Sequence, residues 1–182
     1  MKKKYLMSTL CLLLSALTLG CEGPKTGPDY LAYQKTPYHM TVVGKMEAFS
    51  FRAKLTSDAA GGLTLQFLAP DTLKGMSFEA GADGSRQLCV GDLRMDASRW
   101  LSGSFAHADA LSGGAGQGSI VGVESCTLEG GRPALKVTVA ISAAVGGVDG
   151  TVIIYLDPAS RVPLRLTWEG GYADVEEFVP DA

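Results

Sequence analysis

The sequence predicts a mainly β (α+β) domain, built as a single antiparallel meander of about ten to eleven strands with two helices. Apolar and polar residues alternate through most of the chain, as expected for a sheet with one face packed on a hydrophobic core and one face exposed to solvent. We call these the dry face and the wet face. Most of the 23 glycines lie in short connectors between these segments. Parallel pairing needs a long crossover, so successive strands are expected to be antiparallel neighbours. The 182 residues suit one globular domain.

Each strand is predicted from its own alternating segment. Phe49, Phe51, Ala53 and Leu55, for example, share one face, while Arg52 and Lys54 take the other. In chain order the segments are 38–43, 49–56, 63–67, 76–80, 87–90, 93–96, 119–126, 136–142, 148–156, 162–168 and 172–179.

Two stretches have helical character instead. Pro28 to Lys35 is predicted to form a short N-terminal helix that ends before Pro37. Asp96 to Leu111 is predicted to form a mid-chain helix, with Ser98 as its cap and apolar residues at helical spacing. We expect the second helix to lie against the dry face of a curved sheet, and a glycine-rich segment at 113–118 follows it.

Residues 1–20 have the features of a bacterial lipoprotein signal peptide. Three lysines precede an apolar run from Leu6 to Leu19, which is too short for a comfortable transmembrane span. The run ends in Leu17-Thr18-Leu19-Gly20-Cys21, which resembles the lipobox at which the signal is cleaved and the cysteine acylated. The sequence therefore predicts lipidation of Cys21, a flexible tether over residues 21–28 and a folded domain over residues 29–182. An ordinary secretory signal cleaved nearby is the alternative.

The charge of the mature chain argues against a nucleic-acid partner. Removal of residues 1–20 leaves 13 basic against 19 acidic residues, a formal net charge of −6. Attachment to a membrane is therefore expected through acyl chains on Cys21. Of the other cysteines, Cys11 leaves with the signal, while Cys89 and Cys126 either form a disulfide or remain as two buried thiols.

Two short segments resemble the LolA/LolB superfamily of lipoprotein carriers. Phe67-Leu68-Ala69-Pro70-Asp71 is similar to a strand-ending segment of that superfamily, and residues 157–165 are similar to a turn and strand of related envelope lipoproteins. The resemblance covers residues 29–180. It implies an open half-barrel with a helical lid on its concave face, enclosing a cavity for an acyl ligand.

Six apolar residues are candidates for lining such a cavity. They are Phe51, Phe67, Met95, Trp100, Leu101 and Phe105. The alternative is that the helix fills the concavity completely and leaves a packed core.

No catalytic, cofactor or metal motif is present in the sequence. The two histidines, His39 and His107, have no metal-binding spacing, and no G-x-S-x-G or C-x-x-C occurs. The acidic cluster of Asp174, Glu176 and Glu177 is interpreted as a solvated edge strand, with Glu176 and Glu177 on opposite faces. We therefore expect no enzymatic activity and no cofactor.

The resulting hypothesis is an exported, lipid-anchored envelope protein that binds an apolar or acyl ligand, such as a lipid or a lipoprotein acyl chain, between sheet and helix. It would sit on the outer face of the cytoplasmic membrane, or on the outer membrane where one exists. Residues 98–112 would act as a lid, hinged at 113–118. The alternative is a scaffold or sensor module that binds another protein and has no ligand cavity.

Overall fold

The fold is an antiparallel β-sheet, seen in a computed structural model that describes residues 29–47, 49–83, 85–97, 118–141 and 150–181. Within these ranges there are eleven strands, and every strand segment predicted from the sequence is confirmed. They are β1 (Tyr38–Met46), β2 (Phe49–Ser57), β3 (Leu63–Ala69), β4 (Met76–Ala80), β5 (Arg86–Val90), β6 (Leu93–Asp96), β7 (Ser119–Thr127), β8 (Pro133–Ile141), β9 (Gly150–Leu156), β10 (Pro163–Trp168) and β11 (Gly171–Pro180).

The strand order corrects the prediction of a single meander. The order is β6-β5-β4-β3-β2-β1-β11-β10-β9-β8-β7, so the first and last strands pair at the centre of an open sheet. Two meanders, β1–β6 and β7–β11, are therefore joined side by side. Short connectors force sequential strands to pair, but residues 97 to 118 separate β6 from β7, and these strands form the two edges.

One face of the sheet carries the hydrophobic core. Residues directly opposite each other in antiparallel strands lie on the same face, so the pairing defines continuous rows. One row runs Met40–Leu55–Leu65–Phe78 across β1 to β4. A second group comes from the other meander, where Ala173, Leu166, Ile154 and Val137 oppose one another in turn. All eight are at most 1% exposed. This dry face is the one that the sequence alternation predicts.

The predicted N-terminal helix is wrong in type and length. The segment forms one four-residue 3-10 turn, Ala32–Lys35, preceded by an Asp29 carboxylate that accepts a hydrogen bond from the Leu31 amide at 3.2 Å. Pro37 disfavours helical geometry at the residue before it, and Thr36 is indeed extended (φ −118°, ψ 148°). The turn packs Leu31 and Tyr33 on the core.

The structure does not bear out the mid-chain helix. Asp96, its first predicted residue, belongs to β6, and Ala97 after it is buried. Residues 98–117, with Ser98, Trp100, Leu101 and Phe105, lie outside the described residues, as does the glycine-rich segment before Gly118. No helix in the described ranges is long and apolar enough to span a bilayer.

Candidate apolar ligand site

The apolar side chains on the dry face become more exposed to solvent towards the β6 edge. The row that contains Phe78 continues through Leu88 on β5 to Met95 on β6. Phe78 is 0% exposed, Leu88 is partly buried against the core, and Met95 is 49% exposed. The row thus runs from core to solvent without leaving the apolar face.

A parallel row ends in the same way. Met76 lies opposite Val90, which lies opposite Leu93. Met76 packs against the core, whereas Val90 is 39% and Leu93 68% exposed. We refer to Val90, Leu93 and Met95 as the β5–β6 strip.

The opposite edge exposes apolar side chains on the same face. On β7, Val123 lies opposite Val137 and Ile120 opposite Val139, and both partners are fully buried. Five of the eight large apolar side chains that are exposed in the described ranges therefore lie on the dry face of β5, β6 or β7. Exposed apolar groups that adjoin one another are characteristic of interaction sites, whereas scattered ones are ordinary.

The candidate lining residues fall into three groups. Phe51 and Phe67 are 2% and 1% exposed, and their rings meet edge to face with centroids 6.1 Å apart, so the structure places them in the packed core. Met95 lies three strands away from Phe67 in the strand order, on the β5–β6 strip. Trp100, Leu101 and Phe105 lie outside the described residues.

Two strip residues, Val90 and Leu93, were not among the candidates. A signal for them exists in the sequence, because Leu93-Arg94-Met95-Asp96 alternates apolar and charged residues as an exposed strand does. The burial of its apolar side, however, depends on what covers the edge strand, and alternation does not encode that.

On the wet face, an arginine of β6 forms hydrogen bonds to side chains of β4 and β5. Arg94 donates from Nη1 to Glu79 Oε2 at 2.8 Å and to Gln87 Oε1 at 3.3 Å. These contacts tie β6 to β4 and β5, and they point the charged side chains away from Leu93 and Met95. The strip therefore has an apolar face and a charged reverse side.

A cleft of about 410 Å³ lies between the N-terminal segment and the start of β7. Its lining residues are Asp29, Leu31, Gln34, Lys35, Gly118 and Ile120. An ion pair between Asp29 and Lys35 at 2.5 Å forms part of its rim.

Three aromatic rings pack where the N-terminal segment meets the sheet. Tyr33 contacts Tyr38 and Phe178 edge to face, and Tyr38 stacks on Phe178 at 5.3 Å. Burial raises the pKa of Tyr38 to about 12. Burial, together with the neighbouring Tyr38, also raises the pKa of Tyr33.

The acidic cluster is not on an edge strand, which corrects its interpretation. It lies on β11, between β1 and β10 at the centre of the sheet. The Arg165 guanidinium binds both Asp174 oxygens, and Arg52 Nε donates to Glu176 Oε2 at 2.9 Å. Asp174 is therefore paired with an arginine of the adjacent β10, and Glu176 with an arginine of β2, the strand beyond β1. The hydrogen bond to Asp174 raises the pKa of Arg165.

The expectation that Glu176 and Glu177 occupy opposite faces is also wrong. Glu177 lies opposite Thr41 while Val175 lies opposite Val42, so Glu176 is an extra residue in a bulge. The bulge resets the alternation, and Glu176 joins Arg52 on the wet face.

The remaining site candidates are separate from one another. His39 Nδ1 lies 3.2 Å from Asp181 Oδ1, and His107 lies outside the described residues. No group of three or more His, Cys, Asp or Glu side chains suited to a metal occurs in the described part of the chain. Cys89 on β5 is buried and Cys126 on β7 is half-buried, both as free thiols, so their pairing stays a prediction. Cys21 precedes the described residues.

Comparison with solved structures shows which folds the chain resembles. It is similar to an uncharacterized conserved protein from Thermus thermophilus, at 16% identity and a TM-score of 0.51 over 84% of this chain and 85% of that one. It is also similar to a DUF1329 family protein from Desulfovibrio piger, at 10% identity and a TM-score of 0.50 over 84% of this chain and 89% of that one.

The similar structures also include a LolA superfamily protein from Nitrosomonas europaea, at 8% identity and a TM-score of 0.45 over 81% of this chain and 87% of that one. The LolA/LolB superfamily, which the sequence resembles, is thus represented among the similar structures, and at such identities the likeness concerns the fold alone. The sequence itself matches no protein-family model and no curated protein.

Proposed function

We propose that this protein is a lipid-anchored envelope module that binds an apolar or acyl chain on the dry face of its sheet, without catalysing a reaction. The proposal rests on the β5–β6 strip, where two rows of apolar side chains continue from the buried core to solvent-exposed positions. An acyl chain laid across Val90, Leu93 and Met95 would extend the core by the same contacts that build it.

The energetics favour an occupant on the strip. Burying a side chain of the size of Leu or Met contributes about 1.5 to 3 kcal/mol. Leu93 and Met95 are 68% and 49% exposed, so about two thirds of that contribution at Leu93 and half of it at Met95 are not realised in the free protein. A flexible hydrocarbon chain is suited to a shallow apolar surface because it needs no directional contacts there.

A fluorescence titration with an environment-sensitive fatty acid tests the proposal. The variant Leu93→Gln/Met95→Gln makes the strip polar without adding charge. The matched control is Val43→Gln, because Val43 is 36% exposed but lies opposite Arg52 on the wet face of β1. We expect saturable binding by the delipidated protein, at least a tenfold weaker affinity for the strip variant, and less than a twofold change for the control. Equal affinities of all three proteins, or no saturable binding, would overturn the proposal.

The anchor is a separate part of the proposal and rests on Cys21 in the lipobox-like segment. Cys21→Ser is expected to move the protein from the membrane fraction to the soluble fraction of a bacterial host. Cys11→Ser, within the apolar run of the signal, is the control and should leave the protein on membranes. Membrane association that survives Cys21→Ser would contradict the anchor while leaving the ligand site intact.

A further inference from the structure

The β7 edge differs in kind from the β6 edge. β7 spans nine residues and, within the described residues, pairs with β8 on one side only. β6 spans four residues, two of which, Arg94 and Asp96, are charged. Natural proteins protect sheet edges by short strands, charges, prolines or bulges, so β6 is a protected edge.

β7 has little of this protection. It contains no proline and no basic residue, and its one charged side chain, Glu124, is held by Lys136 Nζ of β8 at 2.6 Å. The charge of the strand is thereby matched within the same chain. Ile120 and Val123 add an apolar surface on the dry face, at 42% and 37% exposure. A bulge at Val121 limits the regular part of the strand to Gly122–Thr127.

We infer that β7 pairs with β7 of a second copy of this chain, in an antiparallel ladder about a two-fold axis. A strand whose charge is already matched can approach its own copy without net repulsion. Pairing of β7 with the charged β6 edge would instead be head to tail, and a pair of chains joined in that way would leave one β6 edge and one β7 edge free. The two-fold pair closes on itself and joins two dry faces into one.

The register of this ladder follows from symmetry. In a two-fold antiparallel pair one residue lies opposite itself. Glu124 at that position would set two carboxylates against each other, and Val123 would bring the bulge into the ladder. With Ser125 at the axis the regular ladder covers Val123–Thr127 of both copies, with Glu124 opposite Cys126 of the second copy and Val123 opposite Thr127. It also keeps like charges out of directly opposed positions.

Disulfide trapping of the full chain in detergent tests the register. In a Cys126→Ser background, Ser125→Cys places two thiols opposite each other at the axis. Thr127→Cys is the matched control, because the same strand and face are used but the two thiols are four residues apart along the ladder. With a mild oxidant we expect a covalent dimer from Ser125→Cys and at least tenfold less from Thr127→Cys. Equal trapping of the two variants would overturn the register.

Sedimentation equilibrium over a range of concentrations tests the association itself. The native chain is expected to approach twice its single-chain mass, whereas Ser125→Lys should stay at the single-chain mass. Ser125 is exposed, so the variant is expected to fold, and Thr56→Lys on the exposed wet face of β2 serves as the control that still dimerises. A single-chain mass for the native protein at every concentration would refute the pairing. β7 and the β5–β6 strip lie on opposite edges of the sheet. The Leu93→Gln/Met95→Gln variant should therefore still dimerise, so a failure of dimerisation can be distinguished from a failure of acyl binding.

Discussion

Met95 lies directly opposite Leu88 in the β5–β6 ladder, and Leu88 lies opposite the fully buried Phe78 in the next one. All three side chains share the dry face, yet about half of Met95 is in contact with solvent. Burial thus decreases along a continuous apolar row as the sheet reaches its edge. This gradient separates the residues that stabilise the fold from those available to a ligand.

Replacing residues at the two ends of this gradient should have different effects on stability. Phe67→Ala removes a core ring and is expected to lower the free energy of unfolding by about 3 to 5 kcal/mol. Met95→Ala is expected to lower it by less than about 1 kcal/mol, because a half-exposed side chain on an edge strand leaves no enclosed cavity. Urea unfolding followed by circular dichroism measures both. Similar losses for the two variants would contradict the assignment of Met95 to an open strip.

Gly44 on β1 is expected to tolerate no side chain. A Cβ there would lie 2.8 Å from the Ala173 Cα and would collide with the Tyr172 carbonyl oxygen on β11. Gly44→Ala should therefore separate the two central strands and cost about 1 to 3 kcal/mol. Gly150→Ala is the control, because a Cβ at Gly150 meets nothing within 4 Å. Thermal unfolding of the two variants compares them, and equal stability would argue against the close β1–β11 approach.

The Arg165–Asp174 pair should contribute modestly to the pairing of β10 with β11. The pair is bidentate, but the two side chains are 25% and 43% exposed, so solvent screens their attraction. A double-mutant cycle with Arg165→Ala and Asp174→Ala is expected to give a coupling energy of about 0.5 to 1 kcal/mol, falling in high salt. The exposed Lys35–Asp29 pair provides the comparison and should give less. A coupling as small as that of the exposed pair would show that bidentate geometry adds nothing here.

The buried tyrosines predict a loss of stability at alkaline pH. Burial raises the pKa of Tyr38 to about 12, whereas a tyrosine in the unfolded chain titrates near 10. Below pH 10 both states hold the phenol proton, so this contribution is fully present. Between pH 10 and 12 only the unfolded state ionises, and the free energy of unfolding should fall by up to about 1.4 kcal/mol per pH unit for this group. Tyr38→Phe should flatten the decline, and an unchanged slope would assign the alkaline sensitivity to other groups.

The sequence predicted local structure well and long-range pairing poorly. Alternation with period two locates the eleven strands because apolar side chains gather on one face of a strand, a property of consecutive residues. The pairing of β1 with β11 joins residues such as Tyr38 and Pro180, and no local pattern encodes that contact. The error over the acidic cluster follows directly, because Asp174 looks like an edge residue until Arg165 is placed beside it.

The candidate site was predicted only in part for a related physical reason. Phe51, Phe67 and Met95 all have the apolar character of lining residues, but residue type does not distinguish a packed ring from an exposed one. The gradient from Phe78 to Met95 depends on the strand order and on what covers each strand. Val90 and Leu93 become visible as part of a site only when the rows are traced across the sheet.

Photo-crosslinking with a diazirine-bearing fatty acid would locate the acyl-binding surface on the sheet. After irradiation of the delipidated protein and proteolysis, mass spectrometry locates the modified residues. We expect saturable labelling concentrated on β5 and β6, at Val90, Leu93 or Met95, which an excess of unlabelled fatty acid abolishes. Labelling that does not saturate, or that is spread evenly over the wet face around Val43, would contradict this expectation.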